Sequence, residues 1–275
     1  MLCKKYDPMP RTLTGQQQAA LDAPDEFTLS IITINQNNAA QIPRTIKSLE
    51  RVREDPEVEC IFIDGASTDE SLVIARNFYK SENLVTEPDA GIYDAQNKGL
   101  YKSRGKYVLW INSGDELLGD FDINALKDSL MASQSDIYCC GLVFWDIEAD
   151  VLKRLVIPTN LDMPSGEFFP HLSTIFKRKK VIIYGGYREK YKIAADRDLY
   201  IRMRLTGCKV TLSEYVITKF YSGGLSSSKK LFYENLRIDY DNELISYFTY
   251  LYRAANHMKW MYKQSIMRMV SGKHK

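Results

Sequence analysis

The chain has 275 residues, 37 Lys and Arg against 35 Asp and Glu for a formal net charge of +2, and is 45% hydrophobic and 26% charged. That length predicts one large domain or two small ones, and the composition excludes a disordered, collagen-like or coiled-coil-array chain. A balance so close to zero argues against a nucleic-acid binder that works by bulk electrostatics, so no nucleic-acid partner is expected.

The five cysteines are Cys3, Cys60, Cys139, Cys140 and Cys208. An odd number without a CxxC or a Cys/His cluster predicts neither a disulfide framework nor a zinc site, and a reducing, cytoplasmic setting is expected. The first residues, MLCKKYDPMPRTLTGQQQ, carry no apolar run after their two lysines, so no signal peptide is expected. The longest apolar stretch, Ile137 to Trp145 (IYCCGLVFW), is too short to span a bilayer and suits a buried strand.

Residues 1–26 are polar and interrupted by Pro8, Pro10 and Pro24, which predicts a loosely packed N-terminal extension. Strands are then predicted at Phe27–Ile34, Val58–Ile63, Leu84–Val85 and Tyr107–Ile111. Helices alternate with them, over Pro43–Arg53, after Ser67-Thr-Asp-Glu70, and over Ile92–Ser103. This rhythm predicts βαβ units and a mainly parallel sheet, whose ligands sit beyond the carboxyl ends of the strands. Those ends carry Asn35, Asp64, Asp89 and Asp115, so carboxylates gather along one edge. The second half is less regular: a hairpin at Ile137–Trp145 and Val151–Ile157, a short strand at His171–Phe176, a turn at Gly185-Gly186 and a helix at Asp196–Leu205. From Leu231 onward the chain reads as helical.

Clustered carboxylates at strand ends suit a hard divalent cation that in turn binds phosphate oxygens. Asp115 is the best ligand candidate, with Ser113 and Gly114 allowing a tight turn beside a ligand; capping of the next segment is the competing role. No GxGxxG follows the first strand, where Asn35-Gln-Asn-Asn38 stands instead, which disfavours a dinucleotide-dependent oxidoreductase.

Four segments, Ile31-Ile-Thr-Ile-Asn35, Ile63-Asp-Gly-Ala-Ser-Thr-Asp69, Glu87 to Gly99 (EPDAGIYDAQNKG) and Leu109-Trp-Ile-Asn-Ser-Gly-Asp115, resemble the successive motifs of family-2 inverting glycosyltransferases. The third is close to the branch that assembles bacterial surface polysaccharides of the colanic-acid and O-antigen kind. The resemblance covers residues 27–225. It implies an α/β GT-A fold, with a nucleotide-sugar-binding half at 27–120, an acceptor-binding half at 121–225, and a C-terminal helical extension at 226–275.

By position, the resemblance puts Thr33 and Asn35 at the nucleotide pocket, Asp64 on the base or ribose, and Asp89 and Tyr93 beside the nucleotide-sugar. Asn112 and Ser113 border the donor, and Asp115 coordinates Mn2+ or Mg2+ on its diphosphate. The family's DxD-like pair reads Asn112-Ser-Gly-Asp115 here, so one acid is missing. Gly185 to Leu199 (GGYREKYKIAADRDL) resembles the family segment that carries the catalytic base, which places the base at Asp196, with Ala195 where a glutamate is usual. Helix capping is the alternative for Asp196 and Asp198. His171 and Asp198 are acceptor-side candidates; a buried core histidine is the alternative for the first. Tyr221-Ser-Gly-Gly-Leu-Ser226 resembles a loop that closes near the diphosphate.

The implied partners are a nucleotide-sugar donor, UDP-linked, and a lipid-linked (polyprenyl diphosphate) saccharide acceptor. A binding module of this fold that has lost catalysis is the alternative, suggested by the missing acids. Residues 251–275 hold six Lys and Arg and no Asp or Glu, interleaved with Met258, Trp260 and Tyr262. The preceding 250 residues therefore hold 31 basic and 35 acidic side chains, a net of −4. A basic, aromatic helix on a slightly acidic body either lies on the anionic inner face of the cell membrane or packs on the domain.

Overall fold

The structure is a computed structural model that describes residues 12–146, 149–158, 171–221 and 230–271, the last ten of these mostly by their backbone. The motif residues Phe168–Pro170 and Ser222–Ser226, and the basic residues Lys273 and Lys275, lie outside the described residues.

Among the described residues, nine strands form one sheet. They are β1 (Phe27–Asn35), β2 (Val58–Asp64), β3 (Leu84–Thr86), β4 (Gly105–Trp110), β5 (Glu116–Leu117), β6 (Ile137–Asp146), β7 (Val151–Val156), β8 (Thr174–Lys177) and β9 (Val210–Tyr221). The order is β3-β2-β1-β4-β8-β6-β9-β5, with β7 paired to β6. The pairs β1–β2, β1–β4, β2–β3 and β6–β9 are parallel, whereas β8 runs antiparallel between β4 and β6. Parallel pairing puts the carboxyl ends of β1, β2 and β4 at one edge, where Asn35 faces Asp64 in register. The expected α/β GT-A sheet is the one observed.

The helices are α1 (Gly15–Asp22), α2 (Ile42–Arg53), α3 (Ser71–Arg76), α4 (Ile92–Lys102), α5 (Ile123–Ser133), α6 (Arg178–Ile183), α7 (Ala195–Leu205), α8 (Lys230–Asp241) and α9 (Tyr247–Ser271). Strand alternation sends Ile32, Ile34, Ile61, Ile63 and Trp110 into one core layer and Leu29, Ile31, Phe62, Tyr107 and Leu109 into the other. Leu100 on α4 and Leu199 on α7 close the first layer; Leu49 on α2 and Leu126 on α5 close the second.

Three local readings are corrected. Residues 14–25 are not a loose tail: Thr14 and Gln17 form a capping box at the start of α1. The fully buried Arg178 guanidinium then donates to Ala20 O, Ala23 O and Asp25 Oδ1 at 2.7, 3.0 and 2.7 Å. The predicted strand at His171 begins instead with a 3₁₀ turn, His171–Ser173, and becomes strand only at Thr174. The twelve-residue β9 and the helices α5 and α6 add to the elements expected from sequence; β9 is half-buried along most of its length, which blurs the alternation that marks a strand. Among the described residues, no helix is long and apolar enough to cross a membrane.

Candidate active site

The carboxyl-terminal edge of the sheet, where the donor is expected, is stitched from the loops that follow β1, β2 and β4. Asp64, 0% exposed, accepts from Asn35 Nδ2 (3.0 Å), the Ser67 amide (2.8 Å), Ser67 Oγ (2.6 Å) and Thr86 Oγ1 (3.0 Å). Both carboxylate oxygens are used twice, so Asp64 ties the ends of β1 and β3 to the loop after β2. Asn35, 5% exposed, spends its amide nitrogen on Asp64 and on Ser67 Oγ at 3.1 Å. Its buried Oδ1 has no hydrogen-bond partner among the described residues. Leaving such an acceptor unpaired costs about 1–3 kcal/mol, a cost that a bound donor group would remove. Thr33 does not reach this pocket: it is fully buried, and its Oγ1 accepts from Tyr79 Oη at 3.0 Å.

Asp89 borders the same end. A Cβ at Gly65 would stand 2.2 Å from Asp89 Oδ2, so only glycine lets this carboxylate lie against the β2 loop. The Gly91 amide holds its Oδ1 at 3.0 Å. Gly91 itself has φ +130°, a region that favours glycine, as the chain turns into α4.

At the end of β4, Asn38 Nδ2 donates to Ser113 O and Oγ at 3.0 and 3.1 Å, which occupies Ser113 with loop fixation. Thr45 Oγ1 donates to Asp115 O at 2.7 Å and accepts from the Gly114 amide at 2.8 Å. The Asp115 side chain, 7% exposed, accepts the Tyr221 amide on Oδ1 at 3.2 Å. Burial pushes its carboxyl up to about 7, against the smaller downward pull of that amide and of Arg44. Arg44 lies 3.8 Å over the Tyr221 ring and 3.9 Å from Glu116 Oε1, with a buried Nε that has no hydrogen-bond partner among the described residues. Nothing in its place within α2 marked Arg44 as a site residue from sequence.

The residues present fit a hard divalent cation sparingly. No group of three or more His, Cys, Asp or Glu side chains able to hold a metal occurs among the described residues. Yet Asp115 is a buried carboxylate with a single amide donor, and the neighbouring Asn112 Oδ1 is buried and unpartnered among them. One carboxylate and one amide oxygen are the oxygen donors magnesium takes alongside phosphates and water.

A wall of buried aromatic rings stands at the end of β4. Trp110 lies edge-on to Tyr187 (5.3 Å between centroids), Tyr187 packs beside Tyr93 at 5.6 Å, and His171 lies 5.4 Å from Trp110. His171 Nε2 shares a 2.7 Å hydrogen bond with Tyr187 Oη, and burial lowers its pKa, which keeps the ring neutral at pH 7. Buried Trp110 Nε1 has no partner among the described residues. Asn97 fixes this wall by accepting the Tyr187 amide at 2.8 Å and donating to Tyr187 O at 2.9 Å. Gly186, at φ +67°, passes so close that a Cβ there would meet Asn97 Oδ1 at 2.5 Å.

Tyr93 links this wall to α7. Its hydroxyl donates to Ile193 O at 2.7 Å and to Asp196 Oδ1 at 3.1 Å. Burial and the Asp196 charge raise the Tyr93 pKa well above 10, so it stays a donor. Asp196 is half-buried. Its Oδ1 also accepts the Arg197 amide at 2.9 Å, while Oδ2 has no hydrogen bond among the described residues. Asp198, two residues on, is placed quite differently. It is 0% exposed and accepts from Arg202 Nε at 2.8 Å, Asn242 Nδ2 at 2.9 Å and Arg188 at 3.4 Å. Arg202 in turn donates to Tyr184 O and, at 2.7 Å, to Gly186 O. Asp198 is therefore built into the support of the Gly185-Gly186 turn and offers no free oxygen to an acceptor.

Comparison with known proteins agrees with this architecture. An uncharacterized glycosyltransferase of Mycobacterium tuberculosis is 28% identical over 211 residues, covering 74% of this chain and 78% of its own length. A PGL/p-HBAD biosynthesis glycosyltransferase of the same species is 27% identical over 217 residues, covering 72% and 79%. S. aureus TarS 1–349 in complex with UDP superposes with a TM-score of 0.57 at 20% identity, over 80% of this chain and 67% of that one. The Pyrobaculum calidifontis mannosyltransferase PcManGT, in complex with GDP-Man and Mn2+, gives 0.53 at 14% identity, over 81% and 67%. These structures share the fold. The sequence model of glycosyl transferase family 2 matches residues 30–188, more than half of the chain, and the chain belongs to that family.

Proposed function

We propose that this glycosyltransferase moves a hexosyl or N-acetylhexosaminyl group, with inversion, from a UDP-linked donor to a hydroxyl of a lipid-linked saccharide in bacterial surface-polysaccharide assembly of the colanic-acid or O-antigen kind. Membership of the family removes the oxidoreductase alternative. The observation that carries the reading is Asp196, a half-buried carboxylate with Oδ1 pinned by Tyr93 and with Oδ2 unbonded among the described residues. The unpaired Asn35 Oδ1 supports the donor assignment, since the imide N–H of uracil is a matching partner. Support for the sugar nucleotide comes from TarS, whose structures hold UDP and UDP-GlcNAc.

In this reading Asp196 Oδ2 accepts the proton of the acceptor hydroxyl as that oxygen attacks the anomeric carbon from the face opposite UDP. Tyr93 keeps the carboxylate oriented and, remaining protonated, does not compete for the proton. Neutral His171 and the rings of Tyr93, Tyr187 and Trp110 line the acceptor side. Mn2+ or Mg2+, when bound, neutralises charge on the departing diphosphate, and Asp115 with Asn112 would hold it. The acceptor's lipid places the enzyme at the inner face of the cell membrane, where α9 supplies a surface. Phe248, Tyr252, Met258 and Trp260 are 81%, 69%, 56% and 54% exposed, beside exposed Arg253, Lys259 and Lys263.

The test is calorimetric titration of UDP and GDP with and without Mn2+, followed by UDP release from a panel of UDP-sugars. UDP binding that Mn2+ strengthens, with release by wild type and not by Asp196→Asn, is expected. Tighter GDP binding would overturn the donor assignment. UDP binding with no release from any donor would leave a binding module in place of an enzyme.

A further inference from the structure

The turn that delivers Asp196 is held from outside. The N-cap of helix α7 is Ala194, whose methyl group can accept no hydrogen bond, so the amides around the helix start need acceptors from elsewhere. They find one in Glu234 of α8. Its Oε2 accepts the Lys192 amide at 2.9 Å, and its Oε1 accepts the amides of Ile193 and Ala194, both at 2.6 Å. Three successive backbone N–H groups converging on one carboxylate form an anion nest, here filled by the protein's own acid.

The rest of α8 holds the same stretch. Asp239 pairs with Arg197 at 2.8 Å, and Asp241 accepts from Lys190 Nζ at 2.6 Å and Tyr191 Oη at 2.7 Å. Just past the helix, Asn242 donates to Asp198 at 2.9 Å. Residues 190–194, 197 and 198 are thus each bonded to α8 or the residue after it, and Asp196 is the acid between them that α8 leaves to Tyr93 and the site. Ile193 O, which receives the Tyr93 hydroxyl at 2.7 Å, belongs to the same peptide run whose N–H groups Glu234 fixes. One carboxylate therefore sets both the start of α7 and the height of the Tyr93 hydroxyl against Asp196.

We propose that Glu234 is a positioning residue for sugar transfer, acting through Asp196 by locking the Lys192–Ala194 turn. This rests on the reading of Asp196 as the base. Its distinguishing consequence is that removing Glu234 lowers turnover without weakening the nucleotide, whose cradle of Asn35, Asp64 and Thr86 lies on other elements.

The experiment compares wild type, Glu234→Ala, Glu234→Gln, Asp196→Asn and the Asp196→Asn/Glu234→Ala double variant. UDP release is followed with whichever of UDP-glucose, UDP-galactose and UDP-N-acetylglucosamine wild type turns over fastest, UDP affinity by calorimetry, and amide exchange across 190–200 by mass spectrometry. Glu234→Ala should lower kcat about tenfold or more, a loss typical of misplaced catalytic groups. UDP affinity should stay within about twofold, and the 192–194 amides should lose protection. Glu234→Gln, which keeps a carbonyl acceptor and folds most readily, should fall between it and wild type. In the double variant, removing Glu234 should cost nothing beyond Asp196→Asn alone. Wild-type kcat or intact 192–194 protection in Glu234→Ala overturns the proposal, as does a parallel loss of UDP affinity or a multiplicative double variant. If Asp196→Asn itself retains wild-type turnover, the base reading fails, and that result is separable because Asp196→Asn leaves Glu234 and its three amides in place.

Discussion

At the end of β2, Asp64 takes four hydrogen bonds and is sealed from solvent; at the end of β4, Asp115 is almost as buried but takes one backbone amide, and its carboxyl is pushed up to about 7. The same contrast recurs at the start of α7, where both oxygens of Asp198 are taken by Arg202, Arg188 and Asn242 while Oδ2 of Asp196 has no hydrogen bond among the described residues. All four are aspartates at the mouths of strands or helices. What separates them is whether the surrounding chain has already used their oxygens. A saturated acid holds loops in place; an unsaturated one has capacity left for a proton, a cation or a substrate.

If that distinction is real, substitutions at the two kinds of acid should fail in different ways. The largest effect on chemistry is expected at Asp196. Changing it to Asn should lower turnover on the order of 10²–10⁴-fold, the range for a lost general base, with UDP affinity and melting temperature near wild type. Fold loss in this variant would break the comparison. The largest effect on stability is expected at Asp198. With both partners fully buried, Asp198→Ala removes the carboxylate that neutralises the Arg202 guanidinium and should cost about 3–5 kcal/mol in urea unfolding. A folded Asp198→Ala protein that only loses turnover would put Asp198 with the unsaturated acids.

Asp115 sharpens the contrast through pH. A carboxyl whose folded pKa lies above its unfolded one binds its proton more tightly in the native state. Its contribution to stability is full below the unfolded value near 4 and is lost as the pH rises to about 7. Asp115→Asn, which keeps an acceptor for the Tyr221 amide, should therefore match wild type near pH 4 and gain on it up to pH 8, while losing sugar transfer. Melting curves across that range check the sign; a variant that grows relatively weaker with rising pH would contradict it. At Asn35 the expected effect is smaller: Asn35→Ala should weaken UDP about tenfold, the worth of about one hydrogen bond, with melting temperature the control for disturbance around Asp64.

These contrasts were partly legible in the sequence. The near-continuous apolar runs that lead to Asn35, Asp64 and the Asp115 turn, with helices between, dictate a parallel sheet with its polar ends together, because strands buried on both faces and the turn residues that follow them agree. Saturation was mostly hidden, since the donors to Asp64 come from Asn35 at the end of β1, Ser67 in the loop after β2 and Thr86 at the end of β3. Asp198 did carry a local signal: Arg202 stands four residues on, the spacing of a helical ion pair. Glu234 carried none, for its bonds to residues 192–194 span about forty positions of chain. The C-terminal extension likewise looked uniform, yet Ile238 of α8 is fully buried in the core while Phe248 of α9 is 81% exposed.

That difference between α8 and α9 carries the mildest prediction for the folded enzyme. Helix α9 turns some of its aromatic surface inward: His257 stacks on Phe232 of α8 at 3.8 Å and on Trp260 at 5.7 Å. Phe248 and Tyr252, four residues apart and so on one side of the helix, remain bare, with Lys259 exposed further along. Burying such side chains in lipid gains about 1.5–3 kcal/mol each, and each lysine near an anionic surface adds about 1 kcal/mol. Phe248→Ser/Tyr252→Ser should therefore leave melting temperature and UDP release in solution unchanged, since neither side chain is buried in the protein. Cosedimentation with vesicles containing phosphatidylglycerol should fall, and added salt should weaken what remains. Unchanged vesicle binding would assign α9 to a protein partner or a second copy. A fall in melting temperature would mean that α9, like α8, is held by the catalytic body.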